Sequence, residues 1–386
     1  MMEKKYDIII VGGGVIGTFH AYHALTQGLS VLQLEKDNFP VGSTVRNFGQ
    51  VVPSGMEGKW FEYGVDSTAI YKYIQSKSDI SVRQHGSLYI ASDEDEVILI
   101  NELKQHYDCM GYTCNYLEAN ALIAKYPTLK KHYAKAAIFF PEEISVEPDK
   151  MILGVQGYLK SSFEKYEILY NMPVVGLDPN QQGVKIRTTN GENFYGEKLV
   201  ICNGYEYKLL MPEYFAKSGI VISKLQMLRT MPMKNISLPG NILTGLTTRR
   251  YESFEHNCPS FKHIKTPAHY VELQKYGIHI LFKQAIDGSF IIGDSHEYAD
   301  VNNFDALGFK NSNYINQLML AEASRIVEFD VNNIQETWCG FYPQHPDQHI
   351  VSENIDDKIY IRTAIGGKGM TASAGYARES MKQILG

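Results

Sequence analysis

The opening of the chain constrains its fold more than any other feature. Tyr6-Asp7-Ile8-Ile9-Ile10-Val11 is short, apolar and β-branched, as a strand buried on both faces requires. It runs into Gly12-Gly13-Gly14-Val15-Ile16-Gly17, a G-x-G-x-x-G pattern that opens a helix over about Gly14 to Gln27. Val31-Leu32-Gln33-Leu34 then reads as a second strand, ending in Glu35 and Lys36. Gly12 permits the tight turn, Gly14 lets the backbone approach a pyrophosphate, and Gly17 lets the helix pack against the sheet. The phosphate charge would rest on the helix N-terminus, and Glu35 can accept hydrogen bonds from ribose hydroxyls. The glycines alone would say little. Strand, glycines, helix, strand and acid in register predict a dinucleotide site.

At 386 residues the chain can hold two domains or one interleaved pair. A net charge of −6 excludes general nucleic-acid binding, though local basic clusters can still take a small anion. The five cysteines, Cys109, Cys114, Cys202, Cys258 and Cys339, form no C-x-x-C, which predicts a reduced, cytoplasmic protein. The lysines before the first apolar run superficially suggest a leader, but that run is the first strand and lacks a small-residue cleavage site. No stretch stays apolar for 18 residues, so no transmembrane helix is expected. His20 and His23 lie at i, i+3 with no third ligand nearby, and read as packing or surface residues rather than a metal site.

Farther along, His85 to Ala91 reads as a strand, 93–125 as a helix with acids at its start, and Ile168 to Leu177 as a strand. Gly183–Thr189 and Gly191–Tyr195 predict a hairpin across Asn190-Gly191. Lys198 to Gly204 is another buried strand ending in glycine, and a helix is expected near 312–328. Near the end, Asp357 to Thr363 runs into Gly366-Gly367-Lys368-Gly369-Met370-Thr371, and a helix follows to Ile384. The expected architecture is α/β. Residues 1–51, 146–217 and 329–386 would form a discontinuous Rossmann-type nucleotide domain, interleaved with an antiparallel-sheet α+β substrate domain over 52–145 and 218–328.

With these residues in hand, the chain resembles the FAD-dependent oxidoreductases of the D-amino-acid oxidase, glycine oxidase and sarcosine oxidase type. The resemblance covers nearly the whole chain and rests on four segments. They are Gly12–Gly17 with Glu35; Gly42-Ser43-Thr44 with Asn47-Phe48-Gly49-Gln50; Val200 to Asn203-Gly204; and Trp338 to Pro343 with Gly366 to Thr371. The resemblance implies an FAD site of Gly12, Gly14, Val15, Ile16, Gly17, Glu35, Lys36, Ser43, Thr44, Asn47, Phe48, Gly49, Gln50, Val174, Asn203, Gly204, Gly340, Gly366, Gly367, Lys368, Gly369, Met370 and Thr371. Several relatives attach the flavin through a cysteine at the position of Gly340, so noncovalent FAD is expected here. Within the family, Val45 to Gln50, Arg250-Tyr251-Glu252-Ser253-Phe254 and Gly293 to Tyr298 are similar to oxidoreductases found with phosphonate-degradation genes.

The implied reaction is oxidation of a small primary or secondary amine, such as 2-aminoethylphosphonate or its N-methyl form, with glycine, sarcosine or a D-amino acid as alternatives. Electrons would pass to oxygen or another acceptor. A noncatalytic flavin-binding subunit is the reading from another class. Flavin amine oxidation asks little of side chains beyond orienting the amine. Backbone N–H groups at Gly366, Gly367 and Gly369, with Lys368, can stabilise negative charge on the reduced ring. Lys368 and Arg46 are the catalytic candidates. Arg46, Arg250, Tyr251, His296 and Tyr342 are the substrate-binding candidates, with Arg249 and Lys283 as further donors for an anion. Where Tyr342 stands the family often carries an arginine, so an ordinary α-amino acid is less favoured. Neither a serine-triad, H-E-x-x-H nor Walker motif is present.

Overall fold

A computed structural model describes residues 5–386; Lys4 and the rest of the first expected segment's start, 1–4, lie outside the described residues. Two large sheets organise the chain. In the first, strand Lys5–Val11 is central and pairs in parallel with Asn193–Ile201 on one side and Val31–Leu34 on the other. Tyr166–Leu169 and Ile359–Thr363 extend the parallel sheet, and Val351–Asn354 closes one edge antiparallel. Ile8, Ile10, Val31 and Val200 are buried, which is what the β-branched runs require of a sheet covered on both faces. The Asn190-Gly191 hairpin is present, with Arg187 opposite Asn193.

Helix Val15–Thr26 covers one face and packs against the C-terminal helix Gly369–Leu385. His20 and His23 are part of that packing. His20 Nε2 lies 2.9 Å from Ser380 Oγ, and His23 Nε2 lies 2.8 Å from the Ala374 carbonyl. Burial pushes their imidazoles down to about 3 and about 4, so both are neutral core residues.

The second sheet is mostly antiparallel and runs from Glu297–Asp300 through Val221–Thr230, Phe290–Gly293, Leu281–Gln284, Asn241–Leu243, Ser87–Ala91 and Ala136–Phe140 to Asn115–Glu118. Strand Ile334–Gln344 pairs along the whole of Val221–Thr230. That strand falls inside the segment 329–386 expected on the nucleotide side, so the chain stays with the second sheet to Gln344 and returns to the first at Val351.

Two expected elements are divided. The helix read over 93–125 is Glu94–Met110, capped by Asp93 accepting from Glu96 N–H and stopped by Gly111 in the left-handed region at φ 70°. Strand Asn115–Glu118 and helix Ala119–Lys125 follow. The strand read over 168–177 is two strands, Tyr166–Leu169 and Val174–Asn180, broken where Asn171 takes φ 56° ahead of Pro173. Among the described residues no helix is long and apolar enough to cross a membrane.

Candidate cofactor and substrate clefts

The glycine turn opens a long cleft with about 1240 Å³ of unfilled space, counting its open mouth. Gly12 sits at φ +111°, and a Cβ there would fall 2.1 Å from the Cys202 carbonyl oxygen. A Cβ on Gly17 would fall 2.3 Å from the Gly12 oxygen. These two glycines let strand and helix approach, and Gly17 does not line the cleft itself. An added Cβ on Gly14 would crowd the Thr44 hydroxyl, with Oγ1 at 3.1 Å. The helix beginning at Val15 has no side-chain cap from Gly14; Val15 N–H donates to Thr44 Oγ1 at 3.0 Å. The positive end of a 12-residue helix thus lies at the cleft wall.

Glu35 turns back over the turn. Its Oε2 accepts from Gly13 N–H at 2.7 Å and its Oε1 from Asp37 N–H at 3.0 Å. Burial raises its carboxyl despite those two donors. Val15, Ile16, Lys36, Ser43, Thr44, Asn47, Val174, Asn203 and Gly204 continue the walls, and Gly366, Gly367, Gly369 and Met370 close the far end. Lys36 Nζ is paired with Asp37 at 2.6 Å. Asn203 Oδ1 is buried without a hydrogen-bond partner, an acceptor left for a ligand donor. A glycine cradle, a helix N-terminus, a buried acid and an orphaned acceptor along one extended cleft fit a dinucleotide.

A second cavity adjoins the first, and Asn47, Tyr342, Gly367 and Met370 line both. Asn47 holds the bend of the loop between them. Its Nδ2 donates to the Ser43 and Thr44 carbonyls and its Oδ1 accepts from Gly49 N–H at 2.7 Å. Phe48, Gln50, Lys368 and Thr371 lie on the second cavity, not the first. Gly49 and Gly340 lie on neither. Gly49 packs against the Val146 carbonyl, and the missing Cβ of Gly340 makes room for the Arg46 side chain.

Charge distinguishes this cavity. Arg250, Tyr251, His296 and Tyr342, four of the expected substrate-binding residues, and the catalytic candidate Lys368 share its wall with Glu252, His279 and Asp294. Arg250 Nη1 donates to the Gly277 carbonyl at 2.9 Å, and its two terminal nitrogens stand 3.3 Å from the two nitrogens of His296. His296 Nδ1 is 3.0 Å from the same carbonyl, so that nitrogen carries the proton and Nε2 is left as acceptor. Burial, with Arg250 and His279 beside it, pushes His296 down to about 3. Asp294 lies 2.8 Å from His279 Nε2. Burial works to raise its carboxyl, but His279, His296 and Arg250 outweigh it and hold the group below the usual range. Lys368 Nζ is paired with Glu252.

Three expected anion donors are elsewhere. Arg46 is absent from the cavity wall: its Nε donates to the Val41 carbonyl at 3.2 Å, and its own carbonyl accepts from Trp338 Nε1 at 3.1 Å. It staples the loop rather than facing a ligand, which corrects both its catalytic and its binding assignment. Arg249 is buried between Glu96 at 2.7 Å and Asp93 at 2.6 Å. Lys283 is buried against the Val146 carbonyl and Glu147. Carboxylates already neutralise both. Sequence reasoning missed His279, Asp294 and Glu252 as wall residues. Asp294 and Glu252 lay inside quoted stretches next to residues that were chosen, whereas His279 carried no pattern. His279, Asp294 and His296 offer ligand atoms within 4.8 Å of one another, but the Arg250 guanidinium already stands against the last of them.

Comparison with known proteins bears on both clefts. The family model described as FAD dependent oxidoreductase, DAO, matches residues 7–382. Glycine oxidase of Bacillus licheniformis is 26% identical over 215 residues, covering 53% of this chain and 55% of that protein. L-2-hydroxyglutarate dehydrogenase of Escherichia coli K12 is 24% identical over 226 residues, covering 56% of this chain and 52% of that protein. The chain therefore spans about half the length of the curated relatives it matches. The crystal structure of glycine oxidase from Bacillus cereus superposes with a TM-score of 0.77 at 19% identity, over 98% of this chain and 95% of that one, a likeness of fold.

Proposed function

Because the chain belongs to the DAO family of FAD dependent oxidoreductases, we propose that it oxidises a small primary or secondary amine carrying an acidic group, with an aminoalkylphosphonate as the leading substrate. The observation that carries this reading is the junction of Asn47, Tyr342, Gly367 and Met370, where a dinucleotide-shaped cleft meets a cavity walled by Arg250. FAD would be held in the first cleft without a covalent bond, with the helix that begins at Val15 to take its pyrophosphate, Glu35 its ribose and Val174 its adenine. Bound there, FAD supplies the two-electron oxidation and hands the electrons to oxygen or another acceptor.

The chain's own residues hold and orient. Gly366, Gly367 and the N-terminus of helix Gly369–Leu385 offer N–H groups where negative charge develops on reduction. Arg250 presents guanidinium N–H groups to a carboxylate or phosphonate. The amine must be neutral at the moment of oxidation, so an amine that binds protonated gives up its proton first. It loses two electrons and two protons to become an imine, and water then splits the imine into an aldehyde or oxo acid and ammonia, or an amine where the substrate nitrogen was secondary. Sarcosine, glycine and D-amino acids satisfy the same chemistry. A hydroxy acid is the second reading, favoured by the dehydrogenase among the relatives.

The test is anaerobic bleaching of the flavin by a panel: 2-aminoethylphosphonate, its N-methyl form, sarcosine, glycine, D-alanine, ethylamine and L-2-hydroxyglutarate. Bleaching fastest with a phosphonate supports the leading substrate. Bleaching by glycine or D-alanine and no phosphonate removes it and leaves amine oxidation. Bleaching by the hydroxy acid alone selects the second reading, and colour unchanged by all of them selects a noncatalytic flavin subunit.

A further inference from the structure

The second cavity holds two opposite charges that form no ion pair with each other. Arg250 is engaged only by neutral acceptors, the Gly277 carbonyl and His296 Nε2. Among the described residues no carboxylate comes within ion-pair distance of it, and no lysine or arginine comes within that distance of Asp294. Asp294 is 7% exposed and still lines the cavity. A carboxylate taken out of water without a cationic partner is costly. Arg250 is exposed, and no carboxylate pairs with it. The cost at Asp294 falls if the cavity's occupant brings a cation, and Arg250 is there to meet an anion.

We propose that Asp294 is the cation-holding pole of the cavity and Arg250 its anion-holding pole, so that the site takes a zwitterion, its protonated amine against Asp294 and its acidic group against Arg250. The proposal rests on reading this cavity as the substrate site. His279 is a positioning residue in it. Its Nδ1 is 3.1 Å from Thr247 Oγ1 and its Nε2 is 2.8 Å from Asp294 Oδ1, a close contact that leaves that buried oxygen without a hydrogen-bond partner and open to a ligand. The main chain also joins the two residues: Asp294 N–H donates to the His279 carbonyl and His279 N–H to the Asp294 carbonyl, at 2.9 and 3.1 Å. A metal ion at His279, Asp294 and His296 is a poorer occupant, since it would sit beside the fixed charge of Arg250. A hydroxy acid would leave Asp294 unanswered.

The test uses the FAD-loaded enzyme and two ligands of nearly the same shape that differ in one charge. Trimethylglycine has a quaternary nitrogen and no amine to oxidise; 3,3-dimethylbutanoate has carbon in its place. Binding is followed by the shift of the flavin absorption spectrum, without turnover. Wild-type enzyme should bind trimethylglycine roughly 10- to 100-fold more tightly, the range a close opposite charge gives after desolvation is discounted. Asp294→Asn should bring the two within about threefold, while Arg250→Met should weaken both together. Equal affinities in the wild type, binding of neither ligand, or an Asp294→Asn enzyme that keeps the preference would each overturn the proposal. Where Asp294→Asn does not fold, the wild-type ratio decides. Bleaching by an amine without charge preference overturns the two poles and leaves amine oxidation standing. Charge preference without bleaching by any amine does the reverse.

Discussion

The two clefts are built from different materials. The nucleotide cleft is shaped by what is missing: Gly12, Gly14 and Gly17 leave room for backbone to meet backbone, and a helix end provides the charge. The second cavity is shaped by what is present, namely Arg250, Glu252, His279, Asp294, His296 and Lys368 on one wall. Backbone cradles are recorded in spacing along the chain, because a turn is a local object. Side-chain walls are assembled from segments far apart, and no spacing records them.

The sharpest way to break that contrast is to fill the backbone cradle. Gly14→Val should give colourless protein, because its side chain occupies the space over the helix N-terminus; the ratio of flavin to protein absorbance measures it. Retention of FAD at normal affinity would move the site elsewhere.

The side-chain region should respond to pH instead. Behind the second cavity, Glu143 is fully buried, accepting from Ser54 N–H at 2.8 Å and from the Tyr112 hydroxyl at 3.3 Å. Burial raises it to about 7. A raised acid means that the folded state holds a proton the unfolded chain has lost. Stability therefore falls as pH rises from about 4.5 to about 7. Glu143→Gln should remove that loss, gaining about 3 kcal/mol over wild type at pH 8 and almost nothing at pH 4.5. Urea unfolding at the two pH values reads it, and equal differences at both would show that Glu143 does not titrate in this window.

Next in size is the contrast between two arginines. Arg250→Met should worsen kcat/KM for acid-bearing amines by about 10- to 150-fold, the equivalent of one charge-assisted hydrogen bond, and much less for ethylamine. Arg46→Met should act equally on every amine, because it staples the Val41 loop. Selectivity for acid-bearing amines lost at Arg46 instead would reverse the two assignments.

The smallest effect is expected at Lys368. Its charge is shared with Glu252, so Lys368→Met should lower the flavin potential by only about 30 mV, or about 1.4 kcal/mol for two electrons, and Glu252→Gln should raise it similarly. Spectroelectrochemical titration gives both. Shifts of the same sign would mean that neither charge reaches the flavin.

The limits of reading the chain follow from the same contrast. The first strand, the glycine turn, the Asn190-Gly191 hairpin and the C-terminal helix were legible because each is set by neighbours in sequence. The helix read over 93–125 failed at Gly111, where one left-handed residue outweighs an apolar pattern that continues beyond it. Arg46 and Arg250 look alike in sequence, each beside a polar turn. Only the fold shows that Arg250 lines the second cavity and Arg46 does not. Asp294 stood two residues from the chosen His296 and was passed over, because its role comes from His279 across a backbone pairing rather than from its own segment.

The packing of the first helix on the last sets an order on how the molecule can be made. Val15–Thr26 leans on Gly369–Leu385 through His20, Ser380 and His23, and Gly366 to Met370 close the far end of the nucleotide cleft. The glycine turn is made long before the wall opposite it. Its closing contacts span more than 340 residues, so the cleft stays incomplete until Gly366 to Met370 have been made. FAD capture therefore waits on that segment, and a nascent chain stalled before Gly366 would carry the whole fingerprint and bind no flavin.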